Sequence, residues 1–397
     1  MKSKEKLSLA LLIPSASAMA TFISPALISI KNHFHVLGTQ LSSVMTVYLI
    51  GYLLGQIVWA YYSNRIGRLL SIKSGALLSI VGAVIILFAT KMHFFDLFLL
   101  GRFVLALGLS AGLICGFAIV KENFLEYEEK RFLSIMAVVF TVSIYISMLV
   151  SGCLMKFDSL ELITYAILFY SIVIFCLSFT IKSNLKQPKA VFYAEKERNI
   201  DPDLIWNRSH LIVYSCALSI TTIIAYCYAF YAPLITHELF LLSPTAFSSY
   251  NLLNIVAIFT GSFLFSRLSS KYSEVSIIIF GLFVIVLSNL IILAITYNHS
   301  SLSMQSFFSI CYLINLSCGM IYPAATYLAL EYGICKATSS AIMNLIKLGA
   351  PVVALLISNQ LLTTNLNSFS MTILLFSIIS LMGLYMITLV PLRREAH

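Results

Sequence analysis

The feature that most constrains this chain is a series of apolar blocks, repeated from one end to the other, each long enough for the roughly 20 residues that a bilayer-crossing helix needs. Ile72 to Ala89 and Ile277 to Tyr297 are two of them. A soluble core would not be segmented in this way. Composition agrees: 60% of the 397 residues are hydrophobic and 10% charged, against roughly half and a quarter in soluble domains. The expected class is an all-α integral membrane protein. Hydropathy windows predict about twelve transmembrane helices, near residues 7–30, 40–62, 70–90, 95–120, 132–154, 159–181, 210–236, 245–266, 274–297, 303–330, 337–361 and 367–391. The first block follows Lys2, Lys4 and Lys6 like a signal peptide, but it continues through Pro14 and Pro25 to Ile30 without a small-residue cleavage pattern. It is therefore expected to be a retained first helix.

The net charge of +9 invites a nucleic-acid partner, and its distribution argues against one. With both termini cytoplasmic, 20 of the 25 Lys and Arg residues fall on or near the inner side, including the Lys182 to Arg208 stretch. Lys31, Lys91 and Lys156 lie outside, and Arg102 and Lys347 within helices. This is the positive-inside bias of a multi-pass protein of a bacterial-type inner membrane. The eight cysteines are scattered without a C-x-x-C, so packing is expected of them rather than a disulfide or metal role. His33 and His35 form the one short histidine pair, and solvation is expected there. Neither a metal nor a cofactor is expected.

The polar stretch between the sixth and seventh helices divides the chain into a bundle over 1–181, a cytoplasmic linker over 182–209 and a second bundle over 210–397, six helices in each. The halves echo each other. Gly55 to Arg65 closes the second helix and Gly261 to Lys271 the eighth, at a constant offset of 206, each with a Gly first, a Ser two before the end and a cation last.

Several segments resemble one family. Ala60-Tyr61-Tyr62-Ser63-Asn64-Arg65-Ile66-Gly67-Arg68 is similar to the major facilitator signature G-x-x-x-D-R-x-G-R, with Ala60 at its Gly and Asn64 at its Asp. Arg102 to Gly108 resembles the fourth-helix motif R-F-L-Q-G-L-G of drug:proton antiporters. Leu242 to Ser248, followed by Asn254, resembles the L-S-P-x-x-F/Y and following Asn of the Bcr/CflA branch. So do Gly319 to Ala325 and Ala337 to Ala341, set against its G-x-x-x-P-x-A and G-T-A-S-A segments. The resemblance implies the major facilitator fold, a secondary transporter, a substrate site between the two halves near the midplane, and a gate latched by Asn64, Arg65, Gly67 and Arg68. The signature's carboxylate is thus replaced by an amide at Asn64.

The departures also carry information. The branch's first-helix Asp falls on Thr21 and its eleventh-helix Gln on Lys347, while the fifth-helix antiporter motif keeps clearly just Gly152. A charge at mid-membrane costs about 2.5–3.5 kcal/mol or more, so Arg102 and Lys347 should face the interior. Arg102 admits a packing role against backbone carbonyls or a coupling role. Lys347 lies about ten residues into its helix, roughly 15 Å deep at about 1.5 Å per residue. Asp96, Glu122, Glu161, Glu274 and Glu331 sit near helix ends, and the other acids in loops or tails. The centre is therefore expected to be positive and the solute anionic. Lys347, Arg102, Thr21, Tyr226, Asn254 and Asn344 are the candidate substrate contacts. Tyr226, Tyr228 and Tyr231 precede Pro233, which can break the seventh helix and free carbonyls, although tyrosines also populate the interfacial belt.

These readings point to an exporter of a small, carboxylate-bearing solute. An anion leaving an inside-negative cell gains about 2.3 kcal/mol per charge per 100 mV, so export need not be proton-driven. An importer of a carboxylate siderophore or metabolite, a multidrug:proton antiporter and a non-transporting membrane sensor are the alternatives. A monomer is expected, with the bilayer and a small-molecule solute as its partners. The sequence has no nucleophile–base pairing, metal-ligand cluster or phosphate-binding loop, so an enzyme is not expected.

Overall fold

The computed structural model describes residues 3–124, 126–157, 159–181, 202–298, 302–331, 336–360 and 365–389. Among them there is no strand. In hydrocarbon each peptide group must find its partner within the chain, and a helix does this locally. The order is α1 (Ser3–Leu12), α2 (Ser15–Phe22), a 3-10 turn (Ser24–Ala26), α3 (Leu27–Phe34), α4 (Gly38–Leu41), α5 (Ser43–Ile66), α6 (Arg68–Lys91), α7 (Phe95–Asn123), α8 (Glu126–Leu154), α9 (Leu160–Ser178), α10 (Pro202–Phe240), α11 (Pro244–Leu268), α12 (Glu274–Tyr297), α13 (Met304–Glu331), α14 (Lys336–Gln360) and α15 (Asn365–Leu389). Ten of these helices are long and apolar enough to cross a membrane. An eleventh span is a bent pair, Lys4–Leu12 with Ser15–Phe34, angled by 43°. The expected fifth span lies in α8, whose side chains are described in part. Of the expected linker, residues 182–201 lie outside the described residues.

The first span differs from the uninterrupted helix expected. It breaks at Ile13 and Pro14 and tightens into the 3-10 turn at Pro25. Proline has no N–H to give and its ring collides with the carbonyl four residues back. Pro233, by contrast, is carried inside a continuous α10, and Thr236 next to it returns its hydroxyl to Ala232 O at 2.8 Å.

Two compact units emerge, Met1–Ala194 with Leu242–Ser249, and Glu195–Leu241 with Tyr250–His397. Within the first, α6 packs on α7 and α9, α2 on α7 and α8, and α1 on α9. Within the second, α12 packs on α13 and α15, and α10 on α13, α14 and α15. Counted as spans, both units pair third with fourth and sixth, and first with fourth, fifth and sixth. The sequence echo has a matching physical basis. Gly55 on α5 faces Leu107 and Ser110 of α7, and Gly261 on α11 faces Leu316 and Gly319 of α13. Each glycine lets the second span of its unit lie directly on the fourth.

The α6–α7 crossing is closed by glycines on both helices. A Cβ on Gly108 would stand 2.5 Å from Gly75 O, and one on Gly75 would stand 2.6 Å from Gly108 O. Gly82 and Gly101 repeat this reciprocal fit further along, at 2.9 and 3.0 Å. Backbone against backbone leaves nothing flexible to yield. Gly108→Val is therefore expected to cost about 1–3 kcal/mol or more through overpacking, read as a lowered thermal midpoint of the purified protein in detergent. An unchanged midpoint would show that the crossing is looser than these distances require.

Candidate functional site

In the first unit, Arg102 on α7 is completely buried. Its guanidinium is gripped by backbone. Nε donates to Val44 O at 3.3 Å, Nη1 to Met19 O at 3.1 Å and Nη2 to Ala20 O at 3.2 Å. The cation lies 4.2 Å from the centroid of the Tyr48 ring, and the Tyr48 hydroxyl donates to Ala16 O at 2.8 Å. A planar fork with five N–H donors on three nitrogens can reach three carbonyls on two helices at once, whereas an ammonium offers its three donors from a single nitrogen. Arg102 thus ties α7 to the second part of the broken first span, α2, and to α5. Of the two alternatives left by the sequence, the geometry presents the carbonyl-bonded one. Beside it, Thr21 is also fully buried. Its hydroxyl meets Ser147 Oγ at 2.8 Å and Ile144 O at 3.1 Å, joining α2 to α8.

The turn between α5 and α6 carries the candidate latch. Gly67 adopts φ 90° and ψ 156°, a region closed to side chains with a Cβ. That turn aims Arg68 back across α7, where Nε and Nη2 hold Glu122 Oε1 at 3.2 and 3.1 Å while Nη1 donates to Ser63 Oγ. Arg65 faces outward over the Tyr61 ring at 4.4 Å, and Asn64 is exposed. The carboxylate missing at Asn64 has a counterpart on another helix. Glu122 was legible as an acid near a helix end, but its pairing with Arg68, 54 residues away, was not.

In the second unit, Lys347 lies near the middle of α14 and is 7% exposed. Its ammonium stands 5.7 Å from the Tyr322 ring centroid, within the reach of a cation–π contact. Its carbonyl accepts from Thr222 Oγ1 on α10 at 2.6 Å. Thr222 to α14 therefore repeats Thr21 to α8. Each is a threonine on the first span of its unit bonding a carbonyl of the fifth. Asn344 is half-buried on α14, three residues before Lys347, and Tyr226 is buried on α10.

Asn254 is buried on α11 and accepts at Oδ1 from Asn315 Nδ2 of α13 at 3.2 Å. It stands 206 residues after Tyr48, the offset that relates Gly261 to Gly55. The crossing of second and fourth spans thus carries Tyr48 with Arg102 in one unit and Asn254 with Asn315 in the other. One turn before Asn254, Asn251 accepts at Oδ1 from the Tyr228 hydroxyl at 2.9 Å. Asn251, Asn315 and Tyr322 are functional candidates that the sequence reading did not single out. Isolated amides within apolar blocks were the available signal.

His33 and His35 do not converge. The His33 ring stacks on His93 at 4.1 Å, and His35 closes α3 in a left-handed conformation. Among the described residues no group of three His, Cys, Asp or Glu is placed to hold a metal.

The Arg102 arrangement makes a prediction. Arg102→Lys keeps the charge but cannot span the three carbonyls, so it should lose at least two hydrogen bonds to a charged donor, about 3 kcal/mol. Thermal unfolding in detergent checks this, and a lysine variant as stable as the parent would rule the clamp out.

The chain matches the Major Facilitator Superfamily over residues 9–355. It is 33% identical over 121 residues to the chloramphenicol resistance protein CraA of Acinetobacter baumannii, spanning 29% of this chain and 27% of that protein. It is 23% identical over 361 residues to the uncharacterized MFS-type transporter YdgK of Bacillus subtilis, with 87% of each chain covered. Among solved structures, a D-xylose–proton symporter superposes with a TM-score of 0.76 at 13% identity, covering 95% of this chain and 96% of that one. A bacterial homolog of the human lysosomal transporter Spinster, inward-facing and occupied, superposes at 0.73 and 14% identity, covering 96% of each. The all-α fold, the run of membrane-spanning helices and the family match agree: the chain belongs to the major facilitator superfamily and is a multi-pass membrane transporter of a small-molecule solute.

Proposed function

We propose that this transporter exports a small, carboxylate-bearing organic solute across a bacterial-type inner membrane, with both termini cytoplasmic. The observation that carries the reading is Lys347. It is a cation near the middle of α14 in a unit where Glu238, Glu274 and Glu331 all stand at helix ends. The interior segments of these helices therefore sum to positive charge. An ammonium is kept at such a depth against a cost of about 2.5–3.5 kcal/mol or more where it serves a pathway. Thr21, where the resembled branch has an acid, is occupied with α8 and brings no negative charge to offset it. Asn344, Tyr226, Asn254 and Arg102 are the further candidate contacts. Asn64, Arg65, Gly67 and Arg68 are the proposed gate, with Arg68 to Glu122 as its ion pair.

Export is favoured by the motifs similar to the Bcr/CflA branch and by the partial likeness to a protein named for chloramphenicol resistance. An inside-negative potential drives an anion outward by about 2.3 kcal/mol per charge per 100 mV, which supplies the work without a mid-membrane proton carrier. That same likeness supports one second reading, the export of an uncharged or cationic drug.

Proteoliposomes separate the two readings. They should move a labelled tricarboxylate such as citrate, or another member of a carboxylate panel, outward in the sense of an inverted vesicle, and leave ethidium unmoved. Lys347→Gln should lower kcat/KM for the carboxylate about tenfold or more, equivalent to about 1.4 kcal/mol. Movement of ethidium and of no carboxylate would sink the anion reading, and an unaffected Lys347→Gln would remove Lys347 from the site.

A further inference from the structure

A pair of buried amides in the second unit has donors without acceptors. Asn251 is 0% and Asn254 1% exposed, and the Nδ2 of each lacks a hydrogen-bond partner. Their oxygen ends are committed, Asn251 Oδ1 to the Tyr228 hydroxyl and Asn254 Oδ1 to Asn315 Nδ2. The orientation of Asn254 is fixed from the next helix. Asn315 Nδ2 also donates to Cys311 O at 2.9 Å, so the amino end of Asn315 is the one that faces Asn254. Turning the Asn254 amide over would set two amino groups against each other. Its own amino group must therefore face away from Asn315. Buried amide hydrogens are normally satisfied, and a vacant one calls for an explanation.

Asn251 and Asn254 are three residues apart on α11, so they project from one helical face with Cβ atoms on the order of 5–6 Å apart. Two vacant donors on one face, beside carbonyls that each already take one hydrogen bond, favour a ligand rich in acceptors. A carboxylate is acceptor-only, with two oxygens and about four lone-pair positions, and can take one N–H from each amide. We propose that Asn251 and Asn254 form an oxygen-acceptor subsite on α11 that takes a carboxylate of the transported solute, with Tyr228 and Asn315 as positioning residues. This rests on the anion-export reading and adds to Lys347 a neutral pair of donors on a different helix. Both amides are sealed from solvent in this structure, so loading requires their neighbours to move, as an alternating-access carrier allows.

The test uses full-length protein in proteoliposomes, with labelled citrate and chloramphenicol as probes and two substitutions at one position. Asn254→Asp keeps the shape and replaces the vacant donor with an oxygen. Asn254→Leu keeps the bulk and removes the polarity. If the subsite binds carboxylate, both should raise the half-saturation concentration of citrate about tenfold or more, Asp more than Leu, with the maximal rate within about threefold of the parent. Thermal midpoints measured in parallel expose a structural role. Should Leu shift the midpoint while the citrate half-saturation stays at the parental value, the amides hold a structural water and the subsite is overturned. A parent that moves chloramphenicol but neither citrate nor any other member of the carboxylate panel overturns the anion reading and the carboxylate assignment with it. A parent that moves citrate while both variants keep its half-saturation overturns the subsite alone. Should Asn254→Asp fail to fold, the leucine variant carries the decision.

Discussion

A polar atom inside a bilayer-spanning helix has no water to fall back on, and the arrangement of this molecule follows from that scarcity. Arg102 is the plainest case. Its charge is spread over three peptide carbonyls and the face of Tyr48. In answering its own need the side chain fastens α7 to α2 and α5. Thr21 does the same between α2 and α8, and Thr222 between α10 and α14. Most of the cohesion between spans comes from close packing, since lipid tails are as apolar as leucine. The hydrogen bonds decide which residue sits opposite which.

The two units share one plan and have filled it with different chemistry. At the crossing of the second and fourth spans both place a glycine, Gly55 and Gly261, so that backbones meet. A short distance away the first unit has a tyrosine beside an arginine that donates to three carbonyls. The second has asparagine against asparagine, with donors left over. The fixed charge of the second unit lies instead on α14, at Lys347. The packing plan is common to both units, while the polar groups at this crossing are more fully bonded in the first.

The amino-acid order made the scaffold legible and the pairings obscure. Apolar blocks of the right length announce spans, and the Gly55 and Gly261 echo announces the repeat, because both are written in consecutive residues. Pro14 lay in plain view, yet the blocks alone do not tell a proline that breaks a span from one that is carried through. Pro233 has the same chemistry and sits in a continuous helix. Of the candidate site, Arg102 and Lys347 stood out because charge is rare at that depth. What they touch did not, since Met19, Val44 and Tyr48 are ordinary residues of an apolar helix whose relevance is created by the crossing. The partner of Arg68 shows the same limit. Within the candidate latch, Arg68 pairs with Glu122 at the far end of α7 and not with a residue of its own loop.

The break at Ile13 and Pro14 distributes the first span between two sets of neighbours. α1 leans on α7 and α9, while α2 is held by α8 and by the Arg102 grip on its carbonyls. An unbroken rod would pass a tilt at one end to the other. One bent by 43° at that point has two segments with different supports, the first on α7 and α9 and the second on α7 and α8.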